Sequence, residues 1–214
     1  METEKKYTCV FDTETTGIPH KTGGIRRDYI GTDINGNQID TKNHYDYKNM
    51  YAFSEARIVS IGCLFYETET VNLVKEFYSV RKPEQFIWNL DAQEFHHITE
   101  EQAKQEGKSL LNIVTQLEPY FQKTQLIVAH NIEFDLNILR NELYRINYHT
   151  LLGVINQIPT FCTMKQNTKG NERFPKLSVL YQSLTNKQHE KAHNALGDCY
   201  ATSEIYFTNY KNRL

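Results

Sequence analysis

The sequence predicts an α/β fold, a mixed five-stranded sheet flanked by helices, on three observations. Aromatic and β-branched runs early in the chain alternate as strands do. A short, continuously apolar segment lies midway, followed by residues at helical spacing. After three meandering strands, helices and strands alternate. At 214 residues, 39% hydrophobic and 23% charged, the chain has ordinary globular composition and length for a sizeable core. One domain is expected over 1–214, with an insertion at 18–56.

Tyr7-Thr8-Cys9-Val10-Phe11 reads as the first strand, ending near Glu14. The next strong strand pattern is Arg57 to Tyr66. The polar stretch between them is too long for an ordinary connection. Its Asn35-Gly36, set between alternating residues, is the strongest short hairpin signal, so a β-ribbon is expected there. Asp33-x-Asn35-Gly36 has the look of a calcium loop, but its first ligand position would be Gly31, and that match fails. Val71 to Val80 reads as a third strand, antiparallel to the second through Thr68-Glu69-Thr70. Lys82 to Lys108 is rich in turn and cap residues.

Ser109 caps a helix with Leu110, Ile113, Val114, Leu117 and Phe121 at helical spacing, which Pro119 should kink or end. Leu126-Ile127-Val128-Ala129 has the composition of a strand buried on both faces. Asn131 is placed to cap the next helix, through Ile132, Leu136 and Leu139 to about Asn147. A short strand at Thr160 to Thr163, a helix near Leu177 to Tyr181 and a last helix from Ala195 to Tyr210 complete the reading.

Formal net charge is −2, which excludes a global basic field for nucleic acid. Beyond Thr160, however, Lys165, Lys169, Arg173, Lys176, Lys187 and Lys191 outnumber the acids. They form either a local surface for phosphates or solvated helix faces. Arg26 and Arg27 in the insertion are further candidates for contact with a duplex or a protein. Cys9, Cys63, Cys162 and Cys199 lack paired short spacing, so free thiols are expected. The charged first residues lack a signal-peptide apolar stretch, and no run is long enough to span a bilayer. The expected location is intracellular, cytoplasmic or nuclear, with no membrane partner.

The chemistry lies in three segments. In Phe11-Asp12-Thr13-Glu14-Thr15-Thr16-Gly17, strand alternation puts Asp12 and Glu14 on one face at the strand's end, two hard oxygen ligands for one divalent cation. Equal spacing at Glu67/Glu69 and Glu133/Asp135 shows that context, an apolar strand entering a glycine turn, singles out Asp12 and Glu14. In Val128-Ala129-His130-Asn131-Ile132-Glu133-Phe134-Asp135, a strand leads into a helix with Asp135 in its first turn. In His193-Asn194-Ala195-Leu196-Gly197-Asp198, a histidine and an acid flank the start of the last helix. Two carboxylates about 4 Å apart repel by roughly 4 kcal/mol at an effective dielectric of 20, so four would converge only around cations. All-oxygen ligation points to Mg²⁺ or Mn²⁺. His189 and His193 are spaced like paired zinc ligands but have no companion Cys or Glu.

These segments resemble the DnaQ-like, or DEDDh, 3′→5′ exonucleases. The family's D-x-E is matched by Asp12 and Glu14, its H-N-x-x-F-D by His130 to Asp135, and its H-x-x-x-x-D by His193 and Asp198. Phe95-His96-His97-Ile98-Thr99 looks like the family's His-Gly-Ile-Thr stretch with His at the Gly position, and His96 is expected beside the substrate groove in place of a small residue. Pro175 to Leu180 is similar to the helix before the third motif.

The resemblance implies a ribonuclease-H-like fold and hydrolysis of nucleic acid from the 3′ end to nucleoside 5′-monophosphates. It further implies two Mg²⁺ or Mn²⁺ ions held by Asp12, Glu14, Asp135 and Asp198, with His193 as general base. Thr13, Thr15, Thr16, Gly17, His97, Asn131 and Phe134 would line the substrate site. Single-stranded DNA is favoured over RNA, and a polymerase or other replication or repair protein is a possible partner. An exoribonuclease, an inactive nucleic-acid-binding module and a zinc phosphoesterase are the competing readings.

Overall fold

The computed structural model describes residues 6–20, 31–32, 38–39, 46–168 and 173–209. Five strands form the main sheet: β1 (Tyr7–Thr15), β4 (Ile58–Glu67), β5 (Leu73–Val80), β6 (Thr124–Ala129) and β7 (Thr160–Cys162). Their spatial order is β5-β4-β1-β6-β7. The β5-β4-β1 pairs are antiparallel, and β6 and β7 add parallel. In the insertion, β2 (Gly31–Thr32) pairs antiparallel with β3 (Gln38–Ile39). Asn35-Gly36, Arg26 and Arg27 lie outside the described residues.

The helices are α1 (Leu90–His96), α2 (Glu100–Glu106), α3 (Leu110–Phe121), α4 (Ile132–Arg145), α5 (His149–Gln157), α6 (Thr163–Gln166), α7 (Leu177–Thr185) and α8 (Ala195–Asn209). None is long and apolar enough to cross a membrane among the described residues. Sequence and structure diverge in several places. Within Lys82 to Lys108, α1 and α2 form behind the caps Asn89 and Thr99, whose side chains accept backbone amides. Pro119 is carried inside the last turn of α3, which ends two residues later. Asn131 occupies the N-cap of α4 in the left-handed region (φ 66°) and makes no side-chain cap bond, so its expected capping role does not hold.

Strand alternation sorts two cores. Cys9 and Phe11 point into a large cluster with the apolar faces of α3, α4 and α5, whereas Val10 points the other way, with Leu64, Val128, Phe161, Cys199 and Tyr206. Thus α8 covers the face that carries Val10 and, further along β1, Asp12. All four cysteines are buried free thiols.

One buried charge cluster ties the layers together. The Glu142 carboxylate of α4, without solvent exposure, receives the Arg57 Nε at 2.8 Å, the Ile58 amide at 3.2 Å and the Arg81 guanidinium. Both guanidiniums also lie over the Phe86 ring, at 5.1 and 4.9 Å. The arginines hold the Glu142 carboxyl below its ordinary range against the opposing effect of burial. This joins α4 to the beginning of β4 and the end of β5.

Candidate active site

The site begins with close backbone packing. Gly62 of β4 stands opposite Asp12 of β1, and a Cβ on Gly62 would lie 2.5 Å from the Ala195 carbonyl oxygen. A side chain there would therefore push the start of α8 off the sheet. With glycine, the first turn of α8 settles beside β1, and ligand atoms of Asp12, Glu14 and Asp198 all lie within 4.8 Å of one another. Asp135 arrives from the opposite layer, at the start of α4. One of its oxygens accepts from the Thr13 amide at 3.0 Å and from the Thr13 hydroxyl at 2.7 Å.

Electrostatics mark the group as strained without a cation. Burial, then the charges of Asp135, Asp198 and Glu14, raises the Asp12 carboxyl well above the usual range. Burial and the neighbouring Asp198 and Asp135 push Glu14 up to about 8. Asp135 rises to about 7, again by burial, with the Thr13 bonds pulling the other way. Asp198 is raised by burial and restrained by His189. Three converging carboxylates with a fourth behind them are an all-oxygen donor set, and they fit a hard divalent cation.

The remaining candidates divide. His193, in the left-handed region at φ 64°, is exposed, with its ring edge-on to Phe95 at 6.2 Å. Asp198 is met by both histidines, by the His193 backbone amide and by the His189 ring through Nε2. In the sequence His189 stands out only as half of a zinc-like pair with His193, and no spacing rule announces a loop residue folding back onto a helix.

Thr16 donates to the Glu55 carbonyl at 2.6 Å and accepts from the Arg57 amide at 3.0 Å, while the Thr15 hydroxyl donates to the Gly17 carbonyl at 2.7 Å. With Thr13 bonded to Asp135, these hydroxyls build the loop from within. Gly17 packs against Glu55, where a Cβ would sit 3.1 Å from its carbonyl oxygen.

The glycine of the resembled His-Gly-Ile-Thr stretch falls on His97 and not, as expected, on His96: His97 is the C-cap of α1 at φ 59°, and a left-handed backbone is the reason a glycine suits that place. His97 is exposed. His96 does not border a groove: it is buried edge-on to Trp88 at 5.9 Å, and burial lowers its pKa to about 4. Phe134 is half-buried against the large core, and Asn131 is exposed. His130 bridges Thr163 Oγ1 at 3.0 Å and the Pro175 carbonyl at 2.9 Å, pinning the segment before α7.

Strand-borne and helix-borne acids gathered over the end of a mixed sheet are the architecture of a ribonuclease-H-like nuclease. Residues 9–206 match the RNase_T family, described as Exonuclease, and the chain belongs to that family. Its fold is similar to that of Escherichia coli exonuclease I. In the zinc-bound complex with single-stranded DNA, TM-score is 0.67 at 18% identity, covering 97% of this chain and 42% of that one. In the complex with a dT13 oligonucleotide, TM-score is 0.65 at 17% identity, over 98% and 42%. The chain thus spans less than half the length of these proteins. No curated protein sequence matches it.

Proposed function

We propose that the chain is a metal-dependent 3′→5′ exonuclease of the DEDDh type, releasing nucleoside 5′-monophosphates from single-stranded DNA. The convergence of Asp12, Glu14 and Asp198 within 4.8 Å, in a chain of the exonuclease family, carries this reading. Two Mg²⁺ or Mn²⁺ ions would supply positive charge where negative charge gathers on the scissile phosphate.

The protein's part is placement. Asp12, Glu14 and Asp198 would hold one cation, and Asp135 would help to hold a second. Thr13 fixes one Asp135 oxygen through its amide and its hydroxyl. His193 takes the proton of the attacking water as its oxygen bonds to phosphorus and the bond to the 3′ oxygen breaks. Its exposed position beside Phe95 leaves it free to meet a bound strand. Single-stranded DNA is favoured because exonuclease I binds it in the similar structures. Exposed Phe95 and His97 are also aromatic surfaces suited to unpaired bases. A polymerase or other replication or repair protein is the partner this reading implies.

The deciding assay uses 5′-labelled single-stranded DNA and RNA of one sequence with Mg²⁺, Mn²⁺ or EDTA, beside Asp12→Ala. A metal-dependent ladder shortening from the 3′ end, lost in the variant, is expected, with DNA cut faster. Faster cutting of RNA would make the chain an exoribonuclease. Binding without cleavage would make it a nucleic-acid-binding module.

A further inference from the structure

We infer that His189 is the positioning residue for Asp198: by holding one carboxylate oxygen, its ring fixes the rotation in which that carboxylate meets Asp12 and Glu14, and so sets the affinity of the acidic site for a divalent cation. This rests on the reading of Asp198 as a metal ligand. The contact runs from His189 Nε2 to Asp198 Oδ1, and the two side chains are only 6% and 14% exposed. Solvent therefore competes little for it.

The loop that carries His189 is fastened at both ends. Ahead of it, Lys187 Nζ pairs with Glu204 of α8 at 2.5 Å, and Glu204 also accepts from the Tyr181 hydroxyl at 2.7 Å. The Tyr181 ring backs the His189 ring at 5.7 Å. Behind it, Lys191 lies directly over Gly197, where a Cβ would come within 2.6 Å of both the Lys191 carbonyl oxygen and its Cβ. The glycine before Asp198 thus lets the loop descend far enough for His189 to reach the carboxylate. His193 turns its ring to Phe95 and meets Asp198 through its backbone amide, a contact that substitutions of His189 leave in place.

A carboxylate ligand left to rotate must be ordered when the cation binds. One already held by a neighbouring donor is ordered in advance, and loss of such a partner typically weakens metal binding about 10–100-fold. The effect acts on ligation, so it is separable from proton transfer by His193.

Calorimetric titration of the full chain with Mn²⁺ alone tests this, using the unaltered protein, His189→Ala, His189→Gln and His189→Asn. The Gln amide nitrogen reaches as far as the ring Nε2, whereas the Asn side chain is too short. Mn²⁺ affinity is expected to fall about 10–100-fold in the Ala and Asn variants and to return within a few-fold in Gln. In the nuclease assay, more Mn²⁺ should be needed for half-maximal rate by the same factor, with the saturated rate retained. Affinity in folded Ala and Asn variants equal to the unaltered chain overturns the inference. Tighter binding does so too, since it would make His189 a competitor of the cation. Failure of the unaltered chain to bind Mn²⁺ overturns instead the reading of the acidic cluster itself.

Discussion

Thr13 is the residue on which the second half of the acidic cluster turns. It lies on the opposite face of β1 from Asp12 and Glu14, so strand alternation alone would exclude it from the site. Its amide and hydroxyl nonetheless reach across to one Asp135 oxygen, at 3.0 and 2.7 Å. Both bonds stabilise the charged carboxylate and oppose the burial that lifts Asp135 to about 7. Thr13→Val keeps the shape and the amide but removes the hydroxyl. A hydrogen bond to a charged group contributes about 1.5–3 kcal/mol, roughly a factor of ten or more. The Asp135 pKa should therefore move further up. Nuclease activity at neutral pH should fall about tenfold, and the rising limb of the pH–rate curve should shift to higher pH. A uniform loss at every pH would mean that Thr13 serves packing alone.

Among the elements, α8 decides whether a site exists, and Gly62 decides where α8 begins. The helix presents Asp198 in its first turn, and its start rests on Gly62, beside Asp12 in the neighbouring strand. Gly62→Ala forces the Ala195 backbone away from a Cβ that would otherwise sit at 2.5 Å. Overpacking of this kind costs about 1–3 kcal/mol. Lower stability in urea is expected, with a larger relative loss of Mn²⁺ affinity as Asp198 leaves its partners. Unchanged affinity would show that the contact relaxes elsewhere. The sequence made α8, α4, α3 and the three long strands readable because each repeats its apolar residues over several turns or pleats. It did not reveal α5, which starts at His149 behind Tyr148 without a side-chain cap and buries only Leu151, Leu152 and Ile155. Short α1 and α2 showed only as cap residues. The acids of the site were legible because each motif is local in sequence. His189 was not, because its role arises where a loop packs on Gly197, a contact no local spacing encodes.

At the scale of the whole molecule, the fold holds like charges together, and its stability must register this. Glu14 moves from its ordinary 4.5 to about 8, and Asp135 from 3.8 to about 7. Between the ordinary and the raised values, the folded chain binds more protons than the unfolded one. Their contribution is fully present at low pH and is lost as pH rises through about 7 to 8. His96 slopes the other way: its pKa falls from 6.5 to about 4, so its contribution is lost as pH drops through that interval. The metal-free chain should therefore be most stable on the acid side of neutrality. In EDTA, its Tm should decline from pH 6 to pH 8. For a chain of this size, each kcal/mol lost lowers Tm by about 2–4 °C. Cations that bind only the folded state should recover this, and more at pH 8, where ligands need shed fewer protons. Thermal melts with EDTA, Mg²⁺ or Mn²⁺ across that range measure both effects, and Glu14→Gln should flatten the slope in EDTA. A Tm that holds or rises toward pH 8 in EDTA would mean that the carboxylates ionise freely. A cation effect of equal size at both ends would place the ion elsewhere than on these acids.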